Sequence, residues 1–297
     1  MKCLLVGGNG QVGHELRRSL APLGELLVTT RDGDLGNGLR GEALDLSRTG
    51  DIAPLVERVA PDIVVNAAAY TAVDRAEQER ELAFRVNAEA PSALAAACAN
   101  AGIPLVHYST DYVFNGRGTR PYREDDPTDP LGVYGQSKRA GEEAIQSAGG
   151  DHLILRTAWV YAAHGHNFMR TMLKLAADRD RLRVVDDQVG SPTPAAWIAD
   201  ATARLLSRAA MPRGIVHLTT AGATSWHGFA EAIFEEGVRR GAIARRPHVT
   251  PIPTADYPTP AARPAYSVLD TALLASHGIE PPEWRAALPD TLEQAMR

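Results

Sequence analysis

A tyrosine and a lysine four residues apart, Tyr134 and Lys138, are the side chains whose spacing first suggests chemistry. On a helix, residues i and i+4 share a face, so both polar heads can point into one cleft. A free tyrosine titrates near pH ~10, and a neighbouring ammonium lowers the pKa of the phenol toward the range where it can exchange protons. The pair therefore predicts a proton donor, although two solvated surface residues can share the same spacing.

A glycine-rich turn near the start of the chain predicts a dinucleotide site. The apolar run 2–6 is followed by three glycines at G-x-x-G-x-x-G spacing and then by an amphipathic stretch. Strand, glycine turn and helix form the first half of a βαβ unit, in which the helix N-terminus offers unpaired N–H groups to a pyrophosphate. A glycine turn also precedes helices that bind nothing. The residues expected to contact a dinucleotide here are Gly7, Gly10, Gln11, Val12 and Gly13.

Short β-type runs alternate with helical stretches through the first half of the chain. The runs lie at 2–6, 25–30, 42–46, 62–66, 104–109 and 152–157, and the helical stretches include 51–60, 80–101 and 136–147. This alternation predicts an α/β fold with a doubly wound parallel sheet of the Rossmann type, covered on both faces. We therefore predict a Rossmann domain, mainly within residues 1–158.

The pattern loosens after residue 158. Helices are predicted at 167–178, 195–209 and 225–240 and a strand at 182–186, and the proline-rich stretch 251–264 predicts a loop that crosses toward the site. We predict a smaller, discontinuous C-terminal substrate lobe, mainly within residues 159–297, with some segments returning to the Rossmann domain.

The composition limits which binding partners and which cellular compartment are expected for this protein. A net charge of −5 and a pI near 6.0, with basic residues scattered along the chain, oppose a nucleic-acid partner. Two cysteines, Cys3 and Cys98, are expected to fill the core, which favours a reducing cytoplasm. No apolar run reaches 18 residues and the first strand begins at residue 2, so neither a membrane segment nor a signal peptide is expected.

Several motifs resemble a known family. The glycine turn 7–13, Asn66 to Ala69, Ser109 to Phe114 and the Tyr134/Lys138 pair occur in the order of extended short-chain dehydrogenases/reductases. The longer segments 66–74, 107–114, 156–161 and 257–264 more narrowly resemble the dTDP-4-dehydrorhamnose reductase family, and the resemblance runs from residue 1 to about 290. It implies an NAD(P)H-dependent oxidoreductase that reduces the 4-keto group of dTDP-4-dehydro-L-rhamnose to give dTDP-L-rhamnose.

The resemblance also implies roles for individual residues. Tyr134 would give the proton, Lys138 would lower the pKa of Tyr134 and hydrogen-bond the nicotinamide ribose, and Thr110 would polarise the carbonyl. Asp111 could accept a bond from a sugar hydroxyl or organise its loop, and Trp159 could stack on the substrate or belong to the core. The candidate substrate residues are therefore Thr110, Asp111, Tyr134, Trp159 and Arg263, the last being suited to a pyrophosphate.

The end of the second strand bears on which nicotinamide is used. An acidic residue there binds the ribose of NAD, whereas arginine neutralises the 2′-phosphate of NADP. Here Thr30 and Arg31 occupy the place, which predicts NADPH, with NADH possible because Asp32 could turn inward. The other candidate cofactor residues are Asp45, Leu46, Ala67, Ala68 and Ala69, together with Tyr134 and Lys138.

A metal site is not expected, and other functions stay open. Glu15 matches one carboxylate of an Mg²⁺ bridge described in the resembling family, but Ala195 and Ala196 stand where a second carboxylate would be needed, so Mg²⁺ is doubtful and a homodimer is only one possibility.

The alternative functions are a nucleotide-sugar epimerase or dehydratase of the same fold, which regenerates its cofactor, and a non-catalytic regulatory subunit.

Overall fold

A computed structural model describes residues 1–36, 38–208 and 210–297 of the chain. Its strands are β1 Lys2–Val6, β2 Glu25–Thr30, β3 Glu42–Ala43, β4 Ile63–Asn66, β5 Leu105–Thr110, β6 His152–Thr157, β7 Val160–Tyr161, β8 Arg181–Val185, β9 Val189–Gly190, β10 Thr193–Pro194, β11 Gly214–His217, β12 Thr224–Ser225 and β13 His248–Ile252. Its α-helices are α1 Gln11–Leu20, α2 Ile52–Val59, α3 Val73–Ala76, α4 Arg80–Phe84, α5 Ala90–Ala101, α6 Val133–Ser147, α7 Phe168–Asp178, α8 Ala195–Leu206, α9 Trp226–Arg239, α10 Ala272–Ser276 and α11 Trp284–Ala295.

The main sheet is parallel throughout, with strand order β11-β6-β5-β4-β1-β2-β3 over the described residues. The order reverses direction at β1, where the connection from β3 crosses to β4. In such sheets ligands bind outside the carboxyl ends of the strands at this switch point. The predicted doubly wound Rossmann fold is confirmed.

Strand residues alternate between two apolar layers. Cys3 and Leu5 of β1 pack on the face covered by α1 and α8, whereas Leu4 and Val6 pack on the face covered by α2 and α5. Successive side chains of a strand point to opposite faces, so a sheet covered on both sides needs apolar residues at every position. This requirement explains the continuous apolar runs in the sequence.

The later part of the chain forms a third apolar cluster. It includes Met169 of α7, Phe229 and Ile233 of α9 and Leu288 of α11, and β8 and β13 form a separate two-stranded parallel sheet beside it. Two later elements nevertheless belong with the main sheet: β11 pairs with β6, and α8 packs on α1. The chain after residue 158 thus contributes to both parts of the molecule.

The structure departs from the predicted elements in three places. β3 ends at Ala43, so the run 42–46 is mostly irregular. The helix predicted over 80–101 contains a π-turn at Arg85–Glu89, because Pro91 has no N–H to give to the carbonyl of Asn87. Pro251, expected in a loop, lies in β13, which is an edge strand of the two-stranded sheet with β8 and therefore tolerates a missing donor. The predicted helix end at residue 209 lies outside the described residues.

Candidate active site

A cleft of about 470 Å³ lies at the carboxyl ends of the main-sheet strands. It brings together residues from widely separated segments of the chain, and these include all but one of the predicted cofactor residues. The predicted residues that line it are Gly7, Gly10, Gln11, Val12, Thr30, Arg31, Asp45, Leu46, Ala67, Ala68, Ala69, Tyr134 and Lys138.

The glycine turn has the shape that a dinucleotide pyrophosphate requires. Gly7 has a φ of +87°, and a Cβ there would lie 2.7 Å from Ala68. Gly13, the remaining predicted residue, lies behind the cleft, where a Cβ would be 2.0 Å from the carbonyl oxygen of Gly7. Gly10 is the N-cap of α1 and gives no side-chain cap, so the first-turn N–H groups are available at the cleft. The residues present therefore fit a dinucleotide.

The far end of this cleft bears a positive charge, and the carboxylate of Asp32 does not line it. Arg31 and the buried Thr30 line it. Asp32 instead accepts the N–H of Asp34 at 3.0 Å and faces the Thr30 hydroxyl at 3.3 Å, which together with its other contacts lowers the pKa of its carboxyl. Asp45, which also lines the cleft, accepts the N–H of Ser47 at 2.9 Å.

Tyr134 and Lys138 share one face of α6 and both line the cleft. Burial raises the pKa of Tyr134 to about 12, against a hydrogen bond with Thr110 that acts in the opposite direction. Burial likewise lowers the pKa of Lys138 to about 8. The Lys138 Nζ lies 2.6 Å from the carbonyl of Tyr108 and 3.0 Å from His107 Nε2.

The sequence predicted that Lys138 lowers the pKa of Tyr134, whereas in the structure the pKa of Tyr134 is raised. Desolvation of the phenol dominates, and the lysine amine is engaged with His107 and Tyr108. At neutral pH the phenol is fully protonated, which is the form that an acid requires.

Thr110 and Asp111 lie where β5 ends. The Thr110 hydroxyl donates to Asp111 Oδ1 at 3.0 Å and accepts the N–H of Tyr112 at 3.2 Å. Burial raises the pKa of Asp111 to about 7, although hydrogen bonds with Ser267 and Thr110 oppose that change. The arrangement holds Asp111 beside the threonine hydroxyl and within the loop before Tyr112.

A second cleft, of about 680 Å³, lies in the later part of the chain and is rich in arginine. Its lining includes Arg179, Arg181, Arg183 and Arg263. The Arg263 guanidinium bonds both oxygens of Asp74 at 2.8 and 3.1 Å, and this hydrogen bond lowers the pKa of Asp74. This ion pair links the loop after β13 to α3.

Trp159, predicted either to stack on the substrate or to belong to the core, packs against a second tryptophan. Its indole stacks on Trp226 with 3.5 Å between ring centroids and a 2° angle between planes. Within the described part of the chain, Trp226 lines the second cleft and Trp159 does not. One face of Trp159 is thus already covered, and its backbone φ of +47° is unusual for a residue with a side chain.

Glu15 is occupied by protein partners. Its Oε1 lies 3.0 Å from His164 Nε2, and Arg18 lies 3.8 Å from its other oxygen. Over residues 1–36, 38–208 and 210–297, no three His, Cys, Asp or Glu side chains group so that they could hold a metal ion. Among the same residues, none of the helices combines the length and apolar character needed to span a bilayer.

Comparison with known proteins identifies the family. The family model described as "RmlD substrate binding domain" matches residues 1–297. A dTDP-4-dehydrorhamnose reductase of Burkholderia thailandensis is 50% identical over an alignment of 301 residues that covers 97% of this chain and 97% of that protein. The chain belongs to the dTDP-4-dehydrorhamnose reductase family.

Solved structures of this reductase family share the whole fold. A dTDP-4-dehydrorhamnose reductase of Clostridium acetobutylicum superposes with a TM-score of 0.91 at 34% identity and covers 100% of both chains. That of Bacillus anthracis, solved in complex with NADP, superposes with a TM-score of 0.89 at 32% identity, covering 99% of this chain and 100% of its own. The family resemblance inferred from the motifs is thereby confirmed.

Several residues around the site were not predicted from the sequence. His107 carried a signal, since it is a polar residue inside an otherwise apolar strand run. Asp74 stands at the end of the quoted segment 66–74 and gained its interest only from contact with Arg263. The loop 164–166, to which no sequence motif drew attention, also lines the cofactor cleft.

Proposed function

We propose that this protein is an NADPH-dependent reductase that converts dTDP-4-dehydro-L-rhamnose to dTDP-L-rhamnose. The observation that carries the proposal is the convergence of Tyr134 and Lys138 on the glycine-turn cleft, with the Thr110 hydroxyl hydrogen-bonded to Tyr134, in a chain of the dTDP-4-dehydrorhamnose reductase family. When bound, the nicotinamide would supply the hydride. The protein's own groups position the substrate and exchange the proton.

Tyr134 is the proton donor in this proposal. Its raised pKa keeps the phenol protonated until negative charge develops on the substrate oxygen, and the Thr110 hydroxyl, turned away from Asp111, would donate to the same oxygen. The phenolate left behind needs a cation, and Lys138, one turn along α6, is the nearest basic group on that face. We also assign Lys138 to the ribose hydroxyls of the cofactor.

The remaining cofactor residues divide along the cleft. Gly7, Gly10, Gln11, Val12 and Gly13 form the turn and helix start suited to the pyrophosphate. Thr30 and Arg31 suit a 2′-phosphate, and the outward position of Asp32 supports NADPH over NADH. Asp45, Leu46 and Ala67 to Ala69 complete the walls.

The second cleft is our candidate for the nucleotide part of the substrate. Arginines suit a pyrophosphate because each guanidinium offers several N–H donors in a fixed plane. Arg263 is supported by Asp74, and Trp226 offers an aromatic surface backed by Trp159. In this arrangement the Rossmann domain, mainly 1–158, holds the cofactor and the later segments hold the nucleotide sugar.

The free thiols of Cys3 and Cys98 support action in the cytoplasm, because a reducing compartment keeps cysteines unpaired.

One assay tests the activity directly. Purified protein is mixed with NADPH and dTDP-4-dehydro-L-rhamnose, absorbance of NADPH is followed, and the sugar product is identified by NMR, with a UDP-linked 4-keto sugar in parallel. We expect stoichiometric NADPH oxidation and dTDP-L-rhamnose. Turnover of dTDP-sugars by the protein as purified, without added reductant, would instead indicate the epimerase or dehydratase alternative. Cofactor binding with no turnover of any sugar would indicate a regulatory subunit.

A further inference from the structure

A chain of three buried polar side chains runs from the cofactor cleft into the sheet. Asn66 and His107 are 0% exposed and Lys138 is 1% exposed. Asn66 Nδ2 lies 3.0 Å from His107 Nδ1, and His107 Nε2 lies 3.0 Å from Lys138 Nζ. Only Lys138 has a role in the reaction proposed above, so the purpose of the other two is open.

The backbone fixes the direction of the first bonds. The N–H of Ala68 can only donate, and the Asn66 atom 3.1 Å from it must therefore be the amide oxygen. The other end of the Asn66 amide is then NH₂, which has no acceptor capacity. His107 Nδ1 must accept from it, so Nδ1 carries no proton in this arrangement.

The tautomer of His107 then determines the charge of Lys138. Burial holds the pKa of His107 well below its usual range, so the ring is neutral and has one N–H. That N–H is on Nε2 and points to Lys138 Nζ, which must accept it. An ammonium has no lone pair to accept with, so this arrangement requires an uncharged lysine amine, which donates in turn to the carbonyl of Tyr108.

Few other charged groups face Lys138. On α6, Tyr134 is protonated, and Glu142 forms a buried ion pair with Arg156, whose Nη2 and Nε each lie 2.8 Å from one carboxylate oxygen of Glu142. Arg139 adds a bond to Glu142 at 3.0 Å. On β5, the facing groups are His107 and the Tyr108 carbonyl. Glu142 favours charge on the lysine, but its own partners already engage it.

We propose that Asn66 and His107 are positioning residues that couple the charge of Lys138 to the cofactor-facing backbone at Ala68. Uncharged Lys138 goes with the Nε2–H tautomer of His107 and an Asn66 amide that accepts from Ala68. Charged Lys138 requires the Nδ1–H tautomer, and then the Asn66 amide must rotate so that its oxygen faces His107. The Ala68 N–H loses its partner in that rotation.

The proton balance of this change is simple. Lys138 takes the proton from His107 Nε2, and Nδ1 takes one from solvent, so the three side chains gain one proton in total. Ala68 lines the cleft, so occupation of the cleft and the charge of Lys138 influence each other. The inference rests on the proposed function only for the importance of Lys138 in the reaction.

The first test needs neither substrate nor turnover. The full-length protein is labelled with ¹⁵N-histidine, and long-range ¹H–¹⁵N correlation spectra are recorded between pH 6 and 10, with the His107 signals among the nine histidines assigned from the spectrum of His107→Gln. We expect the Nε2–H tautomer at high pH and the Nδ1–H tautomer at low pH, with a change near pH 8, where Lys138 titrates. A single tautomer across the whole range would overturn the coupling.

Asn66→Asp provides the matching variant. A carboxylate can only accept, so it takes the N–H groups of both Ala68 and His107 Nδ1, and His107 Nε2 is left to accept from an ammonium. We expect the tautomer change and the corresponding limb of the kcat/KM profile to move up by about one pH unit or more. An unmoved midpoint would contradict the proposal.

Asn100→Asp makes the same chemical change at an exposed position at the end of α5 and is expected to leave the midpoint in place. A matching shift in Asn100→Asp would show a general charge effect and would also overturn the proposal. If Asn66→Asp does not fold, the wild-type spectra decide alone. Failure to reduce the keto sugar would affect the proposed function without touching the spectra, so the two failures are distinguishable.

Discussion

The cofactor cleft and the second cleft differ in how their polar groups are held. In the first, Thr110 and Lys138 stand at a strand end and on a helix and are almost fully buried. In the second, the cations are long side chains on β8 and on the loop after β13, and Arg183 is 61% exposed with Asp256 as its partner. The groups proposed for proton transfer are thus buried, whereas Arg183 of the second cleft is largely exposed.

From this contrast we expect the first cleft to carry out proton transfer and the second to bind the nucleotide sugar. Proton transfer depends on fixed geometry, because an acid displaced by about 1 Å can lose about two orders of magnitude in rate. A pyrophosphate, by comparison, can be bound by several guanidinium groups, each of which adapts its position. Changes at the proton-transfer groups Thr110, Tyr134 and Lys138 should therefore act on kcat, whereas changes in the second cleft should act on KM for the nucleotide sugar.

Tyr134→Phe should have the largest effect. Loss of the proton donor is expected to lower kcat by about two to four orders of magnitude while the Kd for NADPH changes little. Steady-state kinetics and fluorescence titration with NADPH measure the two quantities. Tyr112→Phe is the matched control, because its ring lies 5.7 Å from that of Tyr134 and it loses the same hydroxyl. Near wild-type turnover of the Tyr134 variant would end the proposed mechanism.

Arg263→Ala should chiefly raise KM for the nucleotide sugar. We expect a rise of about 10- to 100-fold, the range for loss of a charge-assisted contact, with kcat nearly unchanged. Arg213→Ala is a suitable comparison, since it removes an arginine from the exposed pair with Asp151. A fall in kcat with an unaltered KM would show that the two clefts do not divide the work as described.

Arg31→Ala should have the smallest of the three kinetic effects. The preference for NADPH over NADH, measured as the ratio of the two kcat/KM values, should fall by about five- to tenfold because the exposed cation no longer meets the 2′-phosphate. Arg40→Ala removes a cation from the same loop, where it bonds the Asp32 carbonyl, and should keep the preference. A wild-type enzyme that works better with NADH would refute the assignment of Arg31.

The sequence predicted best those elements whose signal is local. Strand β1 and the glycine turn are adjacent in the chain, and the i, i+4 spacing of Tyr134 and Lys138 needs only one helix. Arg263 of the second cleft was predicted, but Arg181 and Arg183 were missed because β8 and the loop after β13 are some 70 residues apart and meet through the pairing of β8 with β13. The π-turn at 85–89 was missed because a single proline determines which carbonyl is left unbonded.

His107 shows a different limit. A fully buried histidine in a central strand looks like core, and only the Ala68 N–H, some 40 residues earlier in the chain, reveals the direction of its bonds. Likewise, the sequence suggested that Lys138 lowers the pKa of Tyr134, but burial of the phenol proved the larger influence. Desolvation depends on every neighbour in space, and spacing along the chain does not report it.

The buried titratable groups of the site also make folding dependent on pH. Burial raises the pKa of Asp111 to about 7, so its contribution to stability is complete below the unfolded pKa and is lost as pH rises through 7. Burial lowers the pKa of Lys138 to about 8, and its contribution is present above the unfolded pKa of 10.5 and is lost as pH falls toward 8. Each group gives a slope of at most about 1.4 kcal/mol per pH unit. The two groups therefore add slopes of opposite sign to the pH dependence of the free energy of unfolding, Asp111 below pH 7 and Lys138 above pH 8.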